Sequence, residues 1–155
     1  MEISQALCDA AIAAAQSKAG VLGVPMNVAI LDHGANLKAF LRMDGALIGS
    51  IDIALKKART SALFGMNTEA VGEFCKPGGT SPGLDATNGG LVVFAGGLPI
   101  RDAAGGLVGA VGVSGGSVDQ DFQVAEAAAA AAQATLQSGE TQCEVIITAG
   151  QPQPA

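Results

Sequence analysis

The stretch MNVAILDHGANLKAFLRM, residues 26–43, decides the fold of this chain. Met26–Leu31 follows a proline and alternates in the manner of a strand, and Leu37–Met43 has the composition of a second strand. Asp32–Asn36 lies between them and is rich in turn-forming Asp, Gly and Asn. The sequence therefore predicts a β-hairpin, and its antiparallel pairing indicates the kind of sheet to expect.

Helices and further strands surround this hairpin. Apolar spacing and capping signals predict four helices, over Ser4–Ala19, Ser50–Gly65, Thr68–Phe74 and Ser117–Gln137. Strands are predicted over Leu91–Phe94, Gly97–Arg101 and Leu107–Val113, with a short additional strand left open over Thr141–Thr148. The order α-β-β-α-α-loop-β-β-β-α predicts an α/β (α+β) fold, a single five-stranded antiparallel sheet flanked by helices. We expect one domain over residues 1–150 and a loose tail over residues 151–155.

Composition and charge exclude several classes of function. Hydrophobic residues make up 49% of the chain and charged residues 14%, which is too apolar for a disordered protein. With 8 basic against 14 acidic residues, the net charge is −6. Nucleic acids and anionic membranes both attract basic surfaces, so we expect neither as a partner. The scarcity of charge also leaves apolar surface to cover, which predicts a homo-oligomer.

The cysteines and the N-terminal residues predict a cytoplasmic location. Cys8, Cys75 and Cys143 form an odd set without C-x-x-C spacing, which indicates reduced thiols and neither disulfides nor a metal site. The first residues lack the basic and apolar regions of a signal peptide. Apolar runs also stay well short of the ~20 residues of a membrane span.

The segment Gly112–Gly116 matches G-x-S-x-G at a predicted strand-to-helix turn, which makes Ser114 a candidate nucleophile. A triad would require a histidine, and the single one lies far upstream at His33. Hydrolases with this motif are also built on parallel sheets. A Gly-rich turn that lets the chain pack closely before the last helix is therefore the favoured interpretation, with Ser114 retained as a possible ligand contact.

Four further residues could carry chemistry. Arg42 ends a strand, and its planar guanidinium suits a carboxylate. Asp44 follows in an Asp-Gly turn, and Lys57 lies on the next predicted helix beside Arg59, for which a solvated helix face is the favoured interpretation. His33 could act as a general base or as an axial heme ligand, although a lone His in a turn is commonly an ordinary surface residue.

The loop over residues 76–90 is rich in Gly, Pro, Ser, Thr and Asn and is longer than a simple turn. Loops of this length in compact domains are usually functional or mobile. It contains neither a P-loop nor a Rossmann motif, so nucleotide sites of those kinds are excluded. Pro82, Gly83 and Asn88 are its candidate ligand contacts, in a lid or pocket wall; a plain surface excursion is the alternative.

Taken together, these segments resemble the GlcG/HbpS family, also described as heme-degrading-domain or PduO C-terminal-like proteins. Four co-linear stretches carry the resemblance: Asp32-x-Gly34 with Leu37 and Arg42–Ala46; Lys57–Ala62; Gly90 with Gly96–Ile100; and Gly109–Gly116 leading to Asp121 and Ala125. The resemblance implies a profilin-like, five-stranded sheet and homo-oligomers. It also implies heme as a possible cofactor, since some members bind heme, while others lie beside corrinoid or organic-acid catabolism.

The chain departs from the family pattern in the first hairpin turn. Where many relatives read D-x-G-G-H-L, this sequence has Ala35 for the second Gly and Asn36 for the usual His, with His33 three residues earlier. Asn36 is accordingly a candidate ligand contact. Two hypotheses follow. The first is a protein that binds heme or a related tetrapyrrole, with Arg42 or Lys57 meeting a propionate. The second is a cofactor-independent isomerase, hydratase or lyase for a small carboxylated catabolic metabolite, in which His33, Asp44 or Lys57 would move a proton. The sequence leaves open whether the protein is catalytic at all, and a purely structural role as an assembly subunit is a third interpretation.

Overall fold

The chain folds around a four-stranded antiparallel sheet with helices on both faces. The computed structural model describes residues 2–149, with side chains described for residues 2–139. The helices are α1 (Gln5–Leu22), α2 (Ser50–Phe64), α3 (Thr68–Cys75) and α4 (Val118–Ala149), and the strands are β1 (Asn27–Asp32), β2 (Leu37–Arg42), β3 (Gly97–Arg101) and β4 (Leu107–Ser114). The predicted α+β class and the antiparallel pairing are confirmed. The predicted tail at 151–155 lies outside the described residues, and the domain limit at residue 150 stays a prediction.

The strand order is β2-β1-β4-β3, so the predicted count of five strands is wrong. Leu91–Phe94, which was predicted to be a strand, is not part of the sheet. Its backbone instead forms hydrogen bonds with side chains of the helices. The Val92 N–H donates to Thr60 Oγ1 (3.2 Å), and the Phe94 carbonyl accepts from Thr68 Oγ1 (2.7 Å). Backbone groups that bond helix side chains are not available to a sheet ladder.

The short strand considered over residues 141–148 is also wrong, because α4 continues to Ala149 and passes the predicted end at Gln137. A short apolar run cannot be assigned to helix or strand by its periodicity alone. The glycine at position 139 costs a helix about 1 kcal/mol relative to alanine, which a long helix tolerates.

The helices cover the two faces of the sheet differently. On one face, α1 and α4 pack over the larger apolar cluster, which includes Val28, Ile30 and Val111. On the other face, α2 lies over β1, β4 and β3. It approaches closely because Gly112 has no side chain: a Cβ there would lie 2.1 Å from the Ala54 carbonyl oxygen.

No helix among the described residues 2–149 has the length and apolar character needed to cross a bilayer.

The capping signals at Ser4 and at Ser117 are confirmed. Ser4 Oγ accepts from the Leu7 N–H at 3.2 Å, and Ser117 with Gln120 forms the predicted reciprocal capping box at 3.2 and 3.0 Å. Helix α1 ends one turn later than Gly20, at a left-handed Gly23.

Candidate functional site

A cleft of about 430 Å³ opens between the β1–β2 hairpin, α2 and the turn at residues 88–90. Its aliphatic wall is formed by Leu31, Leu37 and Leu55. Leu37 is 58% exposed, although it is a large apolar side chain on a strand. The exposure is consistent with the packing of α2, which lies mainly over β1, β4 and β3 and contacts the outer strand β2 less. The cleft therefore offers an apolar surface of the kind that ligand sites usually have.

The side of the cleft that α2 forms carries a polar stripe. Asp52, Lys56 and Arg59 lie on it together with Leu55, at the i, i+3, i+4, i+7 spacing that places side chains on one helix face. Lys56 Nζ lies 3.0 Å from Asp52 Oδ2 in an exposed ion pair. The two cations outnumber the one carboxylate here, so this wall is positive although the chain as a whole carries a charge of −6.

The third wall is a turn with an unusual backbone. Asn88, Gly89 and Gly90 have consecutive positive φ angles of 54°, 75° and 97°. Glycine adopts this left-handed region without the steric penalty of a Cβ. Arg59 ties the turn to the helix, because its Nη1 donates to the Asn88 carbonyl oxygen at 2.5 Å. The predicted ligand contact Asn88 thus lies in the cleft, whereas Pro82 and Gly83 are exposed elsewhere on the loop.

The hairpin turn closes one end of the cleft through Ala35. Asp32 Oδ1 organises this turn by accepting from the Gly34 and Asn36 N–H groups, both at 2.9 Å, and from Asn36 Nδ2 at 3.1 Å. These hydrogen bonds, led by the one from the Asn36 backbone, hold the pKa of Asp32 below its usual value. The side chain of Asn36 is therefore committed to the turn. His33 is exposed on the same turn, two residues from Ala35.

Lys57 lies in the core and does not reach the cleft. Its Nζ donates to Asp121 Oδ2 at 2.7 Å and to the Val113 carbonyl oxygen at 2.9 Å, and lies 4.9 Å from the centre of the Phe94 ring. Its side chain is 0% exposed. Burial lowers the pKa of Lys57 from its usual value, and the hydrogen bond to Asp121 and the negative charge of Asp121 oppose part of that shift.

The other predicted residues lie at the far end of the sheet. Arg42 and Ser114 are both paired with Asn27, at the start of β1, whereas His33 follows the end of β1. At ~3.4 Å per residue, the five steps along β1 separate the two ends by about 17 Å. Ser114 is buried and Asp44 is exposed. Ser114 therefore has no nearby histidine to activate it, as a G-x-S-x-G hydrolase would require.

The described chain thus does not bring His33, Asp44 and Lys57 to one site, and their catalytic roles stay predictions. Among residues 2–139, no three His, Cys, Asp or Glu side chains are grouped so as to hold a metal ion. The sequence interpretation missed Leu37, Leu55 and Lys56 and gave Arg59 a solvated face. The i, i+3, i+4, i+7 spacing on α2 was the signal that could have found the last three.

Comparisons with known proteins agree on one family. Residues 3–130 match the family model described as Haem degrading protein HbpS-like. The chain is 41% identical over 116 residues to an uncharacterized 15.0 kDa protein of the dhaT-dhaS intergenic region of Citrobacter freundii, covering 74% of this chain and 81% of that one. Klebsiella pneumoniae protein ORFY has a similar structure, with a TM-score of 0.81 and 34% identity over 85% of this chain and 92% of that one. A structure described as a PduOC:heme complex matches with a TM-score of 0.80 and 34% identity, over 84% of this chain and 95% of that one.

Proposed function

Because this chain belongs to the HbpS-like family, as the four co-linear motifs predicted, we propose that it binds heme or a closely related tetrapyrrole in the cleft between the hairpin and α2. The main observation behind the proposal is that one cleft is lined both by aliphatic side chains and by the half-buried Arg59. A similar fold that is 34% identical is described as a complex with heme, which supports the same ligand class.

The residues of the cleft fit most of what a porphyrin requires. Leu31, Leu37 and Leu55 can cover part of one ring face, and about 430 Å³ is within the usual range for a small-molecule site. Arg59 and Lys56 can receive the carboxylates at the ring edge. When bound, heme would supply redox chemistry and a site for small ligands at its iron.

The iron ligand is the part that the cleft lining does not supply, because the lining contains no imidazole and no sulfur. His33 is our candidate, since it is exposed on the turn whose Ala35 lines the cleft, and a neutral imidazole can coordinate iron. A metal-free tetrapyrrole would not need this ligand. The contribution of His33 therefore distinguishes binding through iron from binding through the ring alone.

A titration with hemin, followed by difference absorption spectra, tests the proposal. We expect a saturable Soret band with one heme per chain. If His33 binds the iron, His33→Ala shifts that band and weakens hemin binding, but leaves binding of metal-free protoporphyrin unchanged. Lys38→Ala is the matched control, because Lys38 lies on the same hairpin and outside the cleft lining. A featureless, non-saturating response to both hemin and protoporphyrin would exclude the proposed function.

We also propose that the chain forms a homo-oligomer. Leu47 and Ile48, which precede α2, are 63% and 74% exposed. Adjacent exposed aliphatic side chains are typical of surfaces that a partner covers. A cytoplasmic location remains a prediction that rests on the free thiols of Cys8 and Cys75.

A further inference from the structure

We infer that the cleft selects its ligand by a carboxylate, which Arg59 receives, so that free-acid tetrapyrroles bind more tightly than their esters. The inference rests on the proposed function and specifies the chemistry of its ligand. It differs from the sequence prediction, which assigned the carboxylate to Arg42 or Lys57. Arg42 ends β2 beside the start of β1 and does not line the cleft, and Lys57 is fully buried against Asp121.

The charge on Arg59 has no counterpart in the described part of the chain. Each of the other two cations of α2 has a carboxylate partner: Lys56 pairs with Asp52 at 3.0 Å and Lys57 with Asp121 at 2.7 Å. Arg59 has none within 4.0 Å among the described residues. The half-buried guanidinium of Arg59 is therefore available to pair with an anion that a ligand brings.

The hydrogen bonds of Arg59 orient its guanidinium and leave donors for a ligand. Nη1 donates to the Asn88 carbonyl oxygen, which fixes the group against the turn. A guanidinium carries five N–H donors, so a pair of them remains for the two oxygens of a carboxylate. The Asn88 and Gly89 N–H groups have no partner in the described structure and lie in the same turn. They are additional donors close to the cation.

The aliphatic residues of the cleft indicate what kind of molecule must carry the carboxylate. Leu31 and Leu37 line the cleft from the hairpin, and Leu55 lines it from α2 beside the charged residues, so the ligand needs an apolar body as well as an acid group. A small dicarboxylate would leave the aliphatic wall in water, and a purely apolar ring would leave Arg59 without its anion. A planar ring with carboxylate side chains satisfies both walls.

The experiment compares protoporphyrin IX with its dimethyl ester, which has the same ring but no charge, by fluorescence titration in one buffer with a fixed fraction of organic co-solvent. We expect the native chain to bind the acid about tenfold more tightly, as suits a charge-assisted hydrogen-bonded pair that is partly open to water. In Arg59→Gln, this preference should fall to near one. Arg42→Gln, an arginine outside the cleft, should keep the native preference, and Arg59→Lys should keep part of it because it retains the charge and loses the fork.

The possible outcomes separate the two proposals. If both porphyrins bind the native chain equally, or if Arg59→Gln keeps the native preference, the carboxylate inference is wrong while tetrapyrrole binding stands. If neither porphyrin nor hemin binds, the proposed function itself is wrong. Because the readout is a ratio of two affinities within each variant, a general loss of affinity or of folded protein does not imitate the expected result.

Discussion

Replacing Lys57 by methionine tests the buried ion pair that joins α2 to α4. The change keeps an unbranched side chain and removes the ammonium that lies 2.7 Å from Asp121. Asp121 would keep the Gly115 and Gly116 N–H donors at 3.1 and 2.9 Å, but its charge would be buried without a counter-charge. Breaking a buried pair in this one-sided way costs about 3–5 kcal/mol of folding free energy. For a chain of this size, that loss corresponds to a fall in melting temperature of roughly 6–20 °C.

Lys56→Met is the matched control, with the same substitution at the adjacent position of the same helix. Lys56 and Asp52 are exposed, so losing their pair should change the free energy of unfolding by only about 0.5 kcal/mol. Urea unfolding followed by circular dichroism, with thermal melts alongside, measures both variants. Equal losses for the two variants, or a Lys57→Met chain as stable as the native one, would refute the assignment of a stabilising buried pair.

Two further predictions concern the hairpin turn and the exposed aliphatic pair. The folded-state pKa of Asp32 lies below its usual 3.8, so the stability it contributes is complete above that value and is lost as the pH falls through the folded-state pKa. Asp32→Asn should abolish this part of the acid sensitivity, and urea midpoints at a series of pH values down to 2 would show it as a smaller drop than in the native chain. Ile48→Asp should lower the mass of the assembly measured by light scattering without lowering the melting temperature of the chain, because Ile48 is exposed and an acidic side chain before the N-terminus of α2 is favourable there. An unchanged mass would exclude Ile48 from the self-association surface.

The fold could be predicted from the sequence wherever local signals determine the structure. The hairpin followed from alternating apolar residues around a polar turn, and the long last helix began at the capping box of Ser117 and Gln120. Leu91–Phe94 has the same apolar character as a real strand. It differs from a real strand because its backbone bonds the hydroxyls of Thr60 and Thr68 and not a neighbouring strand. No local sequence pattern contains that information.

The site was harder to predict because the two lysines of α2 are neighbours with opposite environments. Lys57 belongs to the stripe of Ala54, Ala58 and Ser61, all of them buried, and helical spacing alone could have placed it in the core. Its tolerance there depends on Asp121, which is 64 residues away in sequence. The cleft depends on a further non-local fact, that α2 packs mainly over β1, β4 and β3 and contacts the outer strand β2 less.

The buried pair and the cleft are two consequences of one helix orientation. Successive residues of a helix point about 100° apart, so Arg59 lies about 200° around α2 from Lys57. Lys57 is fixed by Asp121 and by the Val113 carbonyl oxygen, while Gly112 lets the helix backbone rest directly on the sheet. These contacts fix the rotation of α2 about its axis and its distance from the sheet. In this orientation Arg59 faces the turn at Asn88, and Leu55 lines the cleft with Leu37 of β2. The Lys57–Asp121 pair therefore helps to position the residues of the cleft, although neither residue lines it.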